Sequence, residues 1–426
     1  MSSQFLSHTP VPRTIMTLLV LVSLFPSAFG ATFVVNDLGD ASDANPGDGI
    51  AATSTGVATL RAAIEEANAT ADLDTIQFNS GVFSTPSTIA VGSRMEVTKA
   101  ITIQGPGSNL LTITGQDTTQ VFCFSNGSGG ELSGMSIVHG LATINDYYGG
   151  GAIYIDCGNY LYIHHCIFDY NNGEIGGGAC VAIGQESVEF DLCLFKNNKT
   201  IGMQWFGTGG ALYFTEETTA TITNCTFGSN RSRSNGGALG FDDESIINVS
   251  NCLFASNSCP MNGGAIYGTD SELKVSNSTF RKNVAISSGG GMAITYMLTA
   301  FVINSTFQEN SAHKNAGALY ISKGETIVLN CTIKENSADF DLSGGEYGGG
   351  IYVNTSTAFE IGNTIIAGNS DNGSTGQDVY GTVTSLGGNL IGIGDGSTGF
   401  TGTNDQVGTT ASPIDAKLGP LQDDGG

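Results

Sequence analysis

Residues 263–283 read GGAIYGTDSELKVSNSTFRKN, and variants of this stretch recur through the middle of the 426-residue chain. Each copy joins a Gly-Gly-Ala-aliphatic segment to a second apolar strand that ends in a Phe-x-x-Asn tetrad, with Ile for Phe in the last two copies. Successive tetrads start 26 to 33 residues apart, at 168–171, 195–198, 227–230, 254–257, 280–283, 307–310, 333–336 and 366–369. Because so short a unit cannot bury its own apolar face, the repetition predicts a solenoid whose coils share one core.

Alternating apolar residues predict two β-strands in each repeat. In the Gly-Gly-Ala strand, the first inward column is expected to hold Ile153, Cys180, Leu212, Leu239, Ile266, Ile294, Leu319 and Ile351. The outward position that follows holds Tyr154, Val181, Tyr213, Gly240, Tyr267, Thr295, Tyr320 and Tyr352. We interpret the five tyrosines as a stripe and a candidate ligand surface, because contiguous aromatic surface marks interaction sites. Cross-strand packing of aromatic side chains explains the same pattern without a ligand, and this alternative stays open.

Two further columns have a structural interpretation. The terminal Asn of every tetrad predicts a ladder that satisfies backbone groups at a buried turn, formed by Asn171, Asn198, Asn230, Asn257, Asn283, Asn310, Asn336 and Asn369. Two residues before each tetrad lies a small residue, which is Cys166, Cys193, Cys225, Cys252 or Cys331 in five repeats. Strands in adjacent coils lie about 4.8 Å apart with parallel side chains, so the β-carbons of stacked cysteines stay farther apart than the roughly 3.8 Å of a disulfide. We therefore expect reduced thiols.

The first 30 residues have the pattern of an export signal. Arg13 supplies a positive charge, residues 15–25 an apolar stretch, and Ala28-Phe29-Gly30 a small-x-small cleavage site. We therefore expect residues 1–30 to be removed and the protein to be exported, either extracellular or associated with the outer membrane or cell surface. The apolar stretch is too short to span a bilayer, and no later segment is long enough. A net charge of −24 disfavours nucleic acid as a partner.

The combination of Gly-Gly-Ala-[Ile/Leu/Val] with Phe-x-x-Asn resembles the repeat of the chlamydial polymorphic outer membrane proteins and, more broadly, of bacterial right-handed parallel β-helix proteins. The resemblance covers about half the chain and implies an all-β, right-handed parallel β-helix. Residues 58–68, ATLRAAIEEAN, also resemble the CSLREA motif of exported β-helix proteins. Leu60, Arg61, Ala63 and Ile64 fit that motif, whereas positions 58, 59 and 62 depart from it.

These features predict four regions. Residues 31–95 form an amino-terminal strand and a short helical cap, because Leu60 and Ile64 fall on one face of an amphipathic helix that begins near Thr59. Residues 96–400 form the β-helix, with regular repeats at about 149–370. Residues 401–426 form a tail that is similar to a stretch which, in exported β-helix proteins, leads into further sequence. We therefore expect that the chain continues beyond this tail.

Candidate catalytic residues do not form a recognisable array in the sequence. The acids considered were Asp169, Asp191, Asp242, Asp243, Glu244, Asp270 and Glu272, with Arg281 or Lys282 as the base. Their equivalents in neighbouring repeats are mostly Ser, Gly, Asn or Lys, so we expect solvated turn residues rather than one carboxylate patch. His164 and His165 lack a nucleophile at a known spacing, and no spacing predicts a metal or cofactor site.

We therefore predict a non-catalytic, structural or adhesive protein of the cell surface or the medium, which binds a glycan or a host or matrix protein. The alternative is a polysaccharide lyase or glycoside hydrolase on the same scaffold, since a fold does not fix a function. Trp205, the only tryptophan, lies in the long segment 199–208 and is a second candidate contact for a partner. The alternative, that it only holds this loop in place, stays open.

Overall fold

The chain winds into a parallel β-helix, in which each coil pairs in parallel with the coils before and after it. The structure is a computed structural model, and it describes residues 30–70, 72–143, 149–156, 158–184, 186–202, 208–338, 347–354, 358–372 and 376–420. A complete coil contributes four strands, which we number first to fourth in chain order. The first and second strands together build a sheet of 23 strands, and the third strands build a sheet of 13. The predicted all-β parallel solenoid is confirmed.

The strands follow the coils in regular order. First strands are Met95–Val97, Phe122–Ser125, Ile153–Asp156, Cys180–Ile183, Leu212–Thr215, Leu239–Phe241, Ile266–Thr269, Ile351–Val353, Val379–Thr382 and Ser397–Thr398. Second strands are Thr32–Val35, Asp74–Phe78, Ala100–Gln104, Gly129–Ser133, Tyr160–His164, Ser187–Asp191, Thr219–Thr223, Ile246–Ser250, Glu272–Ser276, Ala358–Gly362 and Thr384–Gly387. In two coils the first and second strands are continuous, as Met292–Ile303 and Leu319–Leu329.

The remaining strands close each coil. Third strands are Ser87–Ala90, Leu111–Thr114, Ser136–Val138, Ile167–Asp169, Leu194–Lys196, Thr226–Gly228, Leu253–Ala255, Thr279–Arg281, Thr306–Gln308, Thr332–Lys334, Ile365–Ala367, Leu390–Ile391 and Gln406–Val407. Fourth strands are Asn172–Gly173, Lys199–Thr200, Ser258–Cys259, Val284–Ala285, Ser311–Ala312, Ser337–Ala338 and Ser370–Asp371.

Stacked side chains fill the core in columns that follow the repeat. The first residues of six tetrads, Phe168, Phe195, Phe227, Phe254, Phe280 and Phe307, form a continuous stack of parallel rings. Adjacent ring centroids are 4.5–4.8 Å apart, which matches the spacing of paired strands. Each ring is therefore in contact with its equivalents in the neighbouring coils, and a coil separated from its neighbours would leave this apolar surface exposed.

The Asn column forms the predicted ladder. All eight residues are at most 4% exposed. In each step the backbone N–H and the side-chain Nδ2 of one Asn donate to Oδ1 of the next, as between Asn230 and Asn257 at 3.0 Å. Nδ2 also donates to the carbonyl of the tetrad Phe one coil earlier, as from Asn257 to Phe227 at 3.0 Å. The ladder thus satisfies turn groups that are buried at every coil.

The cysteine column is buried and reduced. Cys166, Cys193, Cys225, Cys252 and Cys331 are free thiols, and most donate to the carbonyl oxygen two residues earlier. Cys157, a cysteine outside this column, lies outside the described residues. Burial raises the pKa of the Cys166 thiol to about 12, which keeps this sulfur protonated and poorly reactive.

A helix, Leu60–Ala69, covers the amino-terminal end of the core, as the sequence predicts. The side chain of Thr59 accepts a hydrogen bond from the backbone N–H of Ala62 and so caps the helix. Its apolar residues Leu60, Ala63, Ile64 and Ala67 belong to the continuous core.

Arg61, one of the residues that resemble the CSLREA motif, fixes this helix to the first coils. Its guanidinium donates to both carboxylate oxygens of Asp40, at 2.9 and 3.0 Å, and to the carbonyls of Ser93 and Arg94. A planar fork of donors suits such a site better than a lysine would.

At the carboxyl end, the Asn ladder stops on an aspartate. Asn369 donates its backbone N–H and its Nδ2 to Oδ1 of Asp378, at 3.0 and 2.8 Å, and Oδ2 of Asp378 accepts the N–H of Ile393 at 2.6 Å. An Asn in this position would need a further acceptor for its own amide, whereas a carboxylate only accepts. Asp378 therefore ends the ladder without leaving an unsatisfied donor.

The column of small residues that lie two positions before each tetrad also ends on an aspartate. Thr364 donates its backbone N–H to Asn389, which donates its N–H and Nδ2 to Oδ1 of Asp405. Although burial opposes it, these and other hydrogen bonds lower the pKa of Asp405.

Candidate functional site

The tyrosine stripe lies on the outward face of the first strands, where all five predicted residues are half-buried. The predicted register was wrong in one coil, which contains Met292–Ile303. Met292, not Ile294, pairs with Ile266, so Ala293 rather than Thr295 occupies the outward column. The reason is that Gly291 occupies the position that the alanine of the Gly-Gly-Ala segment has in other coils. Its N–H donates to the carbonyl of Ala318, and its carbonyl accepts the N–H of Ala265, so it pairs with the alanines of both neighbouring coils.

The amino-terminal half of the stripe is tied into the scaffold. The hydroxyl of Tyr213 donates to Asp242 at 2.9 Å, and Tyr267 accepts a hydrogen bond from Thr295 at 3.2 Å. Tyr154 donates to Asp156 at 3.3 Å. In this half the rings alternate with Val181, Gly240 and Ala293, which are all buried. These contacts favour a packing role for this half.

The carboxyl-terminal half forms a contiguous aromatic surface. Tyr320 stacks on Tyr352 with centroids 5.4 Å apart, and Tyr352 stacks on Tyr380 at 5.5 Å. Tyr347 stacks on Tyr380 from the adjoining turn at 4.3 Å. We call these four residues the tyrosine cluster. All are half-buried, and none of their hydroxyls has a hydrogen-bond partner in the part of the chain that the structure describes.

Two members of the tyrosine cluster were missed in the sequence. Tyr380 pairs with Tyr352 in register, but its coil lacks both the Gly-Gly-Ala segment and the tetrad. Tyr347 precedes the first strand and belongs to no column. Burial, followed by the neighbouring tyrosines, raises the pKa of Tyr352, so this phenol is a hydrogen-bond donor at neutral pH. The cluster therefore offers apolar rings together with hydroxyl groups.

A second group of chemically active side chains lies on the second strands near the amino-terminal end. The ring of His164, only 19% exposed, has Nε2 3.1 Å from Oε1 of Glu131 and Nδ1 2.8 Å from Nδ1 of His165. It stacks on Tyr162 at 4.4 Å, and the hydroxyl of Tyr162 is 3.5 Å from Asp191. Burial raises the pKa of Tyr162. Adjacent coils therefore cover most of the His164 ring.

At one ridge of turns, which we call the acidic ridge, acids of neighbouring coils lie closer together than the sequence predicts, although Asp243, Glu244 and Asp270 are exposed turn residues as expected. The backbone N–H of Glu217 donates to the carbonyl of Asp243 at 2.8 Å, and that of Glu244 donates to Asp270 at 2.7 Å, so acidic turns of three coils are adjacent. Burial raises the pKa of nearby Asp242. Among the described residues, no group of three or more His, Cys, Asp or Glu side chains is arranged to hold a metal ion.

The two candidate bases, Arg281 and Lys282, do not lie beside these acids. Arg281 ends a third strand and Lys282 lies in the following turn, in a different sheet from the acidic ridge, and Lys282 pairs with Glu309 at 3.3 Å. Asp169 likewise pairs with Lys196 at 3.2 Å. Trp205 lies outside the described residues.

The fold and the comparisons define a right-handed parallel β-helix. Residues 100–280 match the family model described as the right handed beta helix region. No curated protein matches the sequence. Within the described ranges, no helix is both long and apolar enough to cross a membrane.

Proposed function

We propose that the protein is an exported, non-catalytic scaffold of the cell surface or the medium, which binds a partner through the tyrosine cluster. The observation that carries the proposal is the cluster itself, in which four adjacent rings leave their hydroxyls without partners among the described residues. Tyr is enriched at binding surfaces because it combines a large apolar ring with a polar tip. The amino-terminal sequence pattern supports export, and a long β-helix suits a structural or adhesive role.

The partner is a glycan or a protein of a host or matrix surface. Nearly parallel rings, with planes within 12° of one another, cover part of each other's faces. What remains accessible is a row of ring edges and hydroxyls, which can form hydrogen bonds to sugar hydroxyls or to a polypeptide backbone. Because such aromatic residues dominate the energetics of many interfaces, a few substitutions should decide the question.

Replacing Tyr347, Tyr352 and Tyr380 together by Ser is expected to weaken partner binding at least about tenfold, or about 1.4 kcal/mol. The three stacked pairs contribute about 0.2–1 kcal/mol each to stability, so the variant should remain folded. The partner is first identified by screening the mature chain against glycan arrays and matrix proteins. Binding is then measured by surface plasmon resonance, with circular dichroism to verify folding.

The matched control replaces Tyr160, Tyr170 and Tyr296 by Ser, three tyrosines that are 50–54% exposed elsewhere on the solenoid. This control should retain full affinity. Full binding by a folded cluster variant, or an equal loss in the control, would exclude the tyrosine cluster as the binding surface.

The group around His164 favours a second candidate function, a polysaccharide lyase or glycoside hydrolase. A His held between a carboxylate and an aromatic ring can transfer protons, and Tyr162 and Asp191 extend the set of acid and base groups. In this case the mature chain should release new reducing ends or unsaturated sugars from a polysaccharide panel, and His164→Gln should abolish the release. His313→Gln serves as the control. Product release that persists in His164→Gln would rule out this assignment.

A further inference from the structure

One surface of this acidic protein has the opposite charge. Lys199, Arg231 and Arg233 are exposed and lie on adjacent coils, while the whole chain contains only 15 Lys and Arg residues against 39 Asp and Glu. Lys199 and Arg231 are direct partners in a parallel bridge, so their backbones are one strand spacing apart. The buried Ser232 separates the exposed Arg231 and Arg233, so both arginines lie on the outer side of the chain. None of the three has a carboxylate within 4 Å among the described residues.

These cations line a cavity of about 370 Å³, which is within the range of small-ligand sites. Ile201 and Pro260 contribute apolar wall. Ser232 also lines the cavity, and its hydroxyl is buried without a hydrogen-bond partner in the described part of the chain. We call this site the basic cavity.

Two hydrogen bonds hold one of the arginines in place. The backbone N–H of Arg233 donates to the hydroxyl of Thr200 at 2.8 Å, and its Nε donates to the carbonyl of Ile201 at 3.3 Å. The guanidinium is therefore oriented before any ligand arrives, and its remaining N–H groups are available to one. Preorganisation of this kind reduces the entropy that binding would otherwise cost.

We propose that the basic cavity binds a carboxylate or sulfate group of an acidic saccharide. Lys199, Arg231 and Arg233 repel one another, and an anion between them relieves this repulsion. Two oxygens of a carboxylate or a sulfate group match the arginine fork with two parallel hydrogen bonds. The apolar walls suit the carbon face of a sugar ring, which favours a saccharide over a free inorganic anion. The overall charge of −24 repels a long nucleic acid from the rest of the surface.

This site is independent of the tyrosine cluster. The cavity spans three adjacent coils, which contain Lys199–Thr200, Arg231 and Ser258–Cys259. The cluster lies on the coils that begin with Leu319–Leu329, Ile351–Val353 and Val379–Thr382. A failure of one proposal therefore leaves the other standing, because the variants of each site can be tested separately.

The test is calorimetric titration of the full mature chain with an oligogalacturonate, a sulfated oligosaccharide of similar length and neutral cellotetraose. We expect at least one of the two charged probes to bind, more weakly as ionic strength rises, and the neutral probe not to bind. Comparison of the two charged probes distinguishes carboxylate from sulfate. Arg231→Gln with Arg233→Gln should lower affinity at least about tenfold, and Lys199→Gln alone should lower it to a smaller extent.

The control variant, Lys274→Gln with Lys314→Gln, removes two exposed charges elsewhere on the solenoid and should bind like the wild type. An equal loss of affinity in this control would show that binding depends only on the overall charge of the protein, and would overturn the proposal. The proposal would also be overturned if neither charged probe bound. A third outcome would also overturn it. If the double arginine variant instead loses self-association in sedimentation experiments, the basic cavity binds the acidic ridge of a second copy.

Discussion

Asn257→Ala is expected to lower the free energy of unfolding by about 2–4 kcal/mol, because a buried donor that loses its acceptor costs about 1–3 kcal/mol. The backbone N–H and Nδ2 of Asn230 both donate to Oδ1 of Asn257, so the substitution leaves two buried donors unsatisfied. It also removes the donor that reaches the carbonyl of Phe227. Water cannot replace these bonds readily, since the ladder is fully enclosed at this coil.

Chemical denaturation followed by circular dichroism measures this loss, with the slope m as a test of two-state behaviour. Asn248→Ala is the matched control, because Asn248 is a half-exposed residue on the second strand of the same coil and should cost little. Asn257→Asp separates geometry from chemistry. It retains the Oδ1 acceptor but places an oxygen opposite the carbonyl of Phe227, so it should also destabilise. Unfolding curves that coincide for wild type and Asn257→Ala would contradict the role assigned to the ladder.

The sequence predicted the fold and the Asn ladder because both depend on a pattern that occurs eight times. A column such as the tetrad Phe tolerates an Ile at two positions without becoming unrecognisable. Register was harder where a repeat departs from the pattern. In the coil with three successive glycines, Met292 and Ile294 both face inward, and only the pairing of Gly291 identifies which of them matches Ile266.

Contacts between coils were the least predictable part of the candidate sites. Glu131 lies 33 residues before His164, and the Glu217, Asp243 and Asp270 turns differ in sequence, so no shared motif places these side chains together. The basic cavity was missed for the same reason. Its residues are ordinary surface cations until the stacking of the fourth strands brings Lys199 beside Arg231. Loops of variable length hide such neighbours from a periodic analysis.

The end of the Asn ladder also lies outside the repeat. Asp378 follows Asn369 by only 9 residues, whereas the ladder residues are 26 to 33 apart, so the sequence period does not identify it. The chemical requirement is nevertheless simple. A column in which every side chain donates to the next must end on a group that accepts without donating. An aspartate meets this requirement at the end of each of the two polar columns.

Asp378→Ala is accordingly expected to lower the free energy of unfolding by about 1–3 kcal/mol. Three N–H donors, two from Asn369 and one from Ile393, lose their acceptor. The cost should be smaller than at Asn257, because a cavity of about 320 Å³ lined by these residues gives water access to the freed groups. Chemical denaturation of this variant beside Asn257→Ala measures both losses of unfolding free energy and shows whether the loss at Asp378 is the smaller one.

Asp378→Asn adds a test of charge. The variant retains an acceptor for Asn369, but either orientation of its amide places a donor opposite one of the native N–H groups. Burial outweighs the hydrogen bonds and raises the pKa of Asp378, so the folded state binds its proton more tightly than the unfolded state. The contribution of this group to stability therefore increases as the pH falls through the folded pKa, and levels off below the unfolded pKa.

Other carboxylates with lowered pKa values, such as Asp405, act in the opposite direction, so the total stability of the wild type does not isolate this effect. The difference in unfolding free energy between wild type and Asp378→Asn does isolate it, because the other carboxylates are present in both proteins. That difference should grow in favour of the wild type as the pH is lowered from neutral into the acidic range. A difference that stays constant, or shrinks, would show that Asp378 does not carry a raised pKa at the end of the ladder.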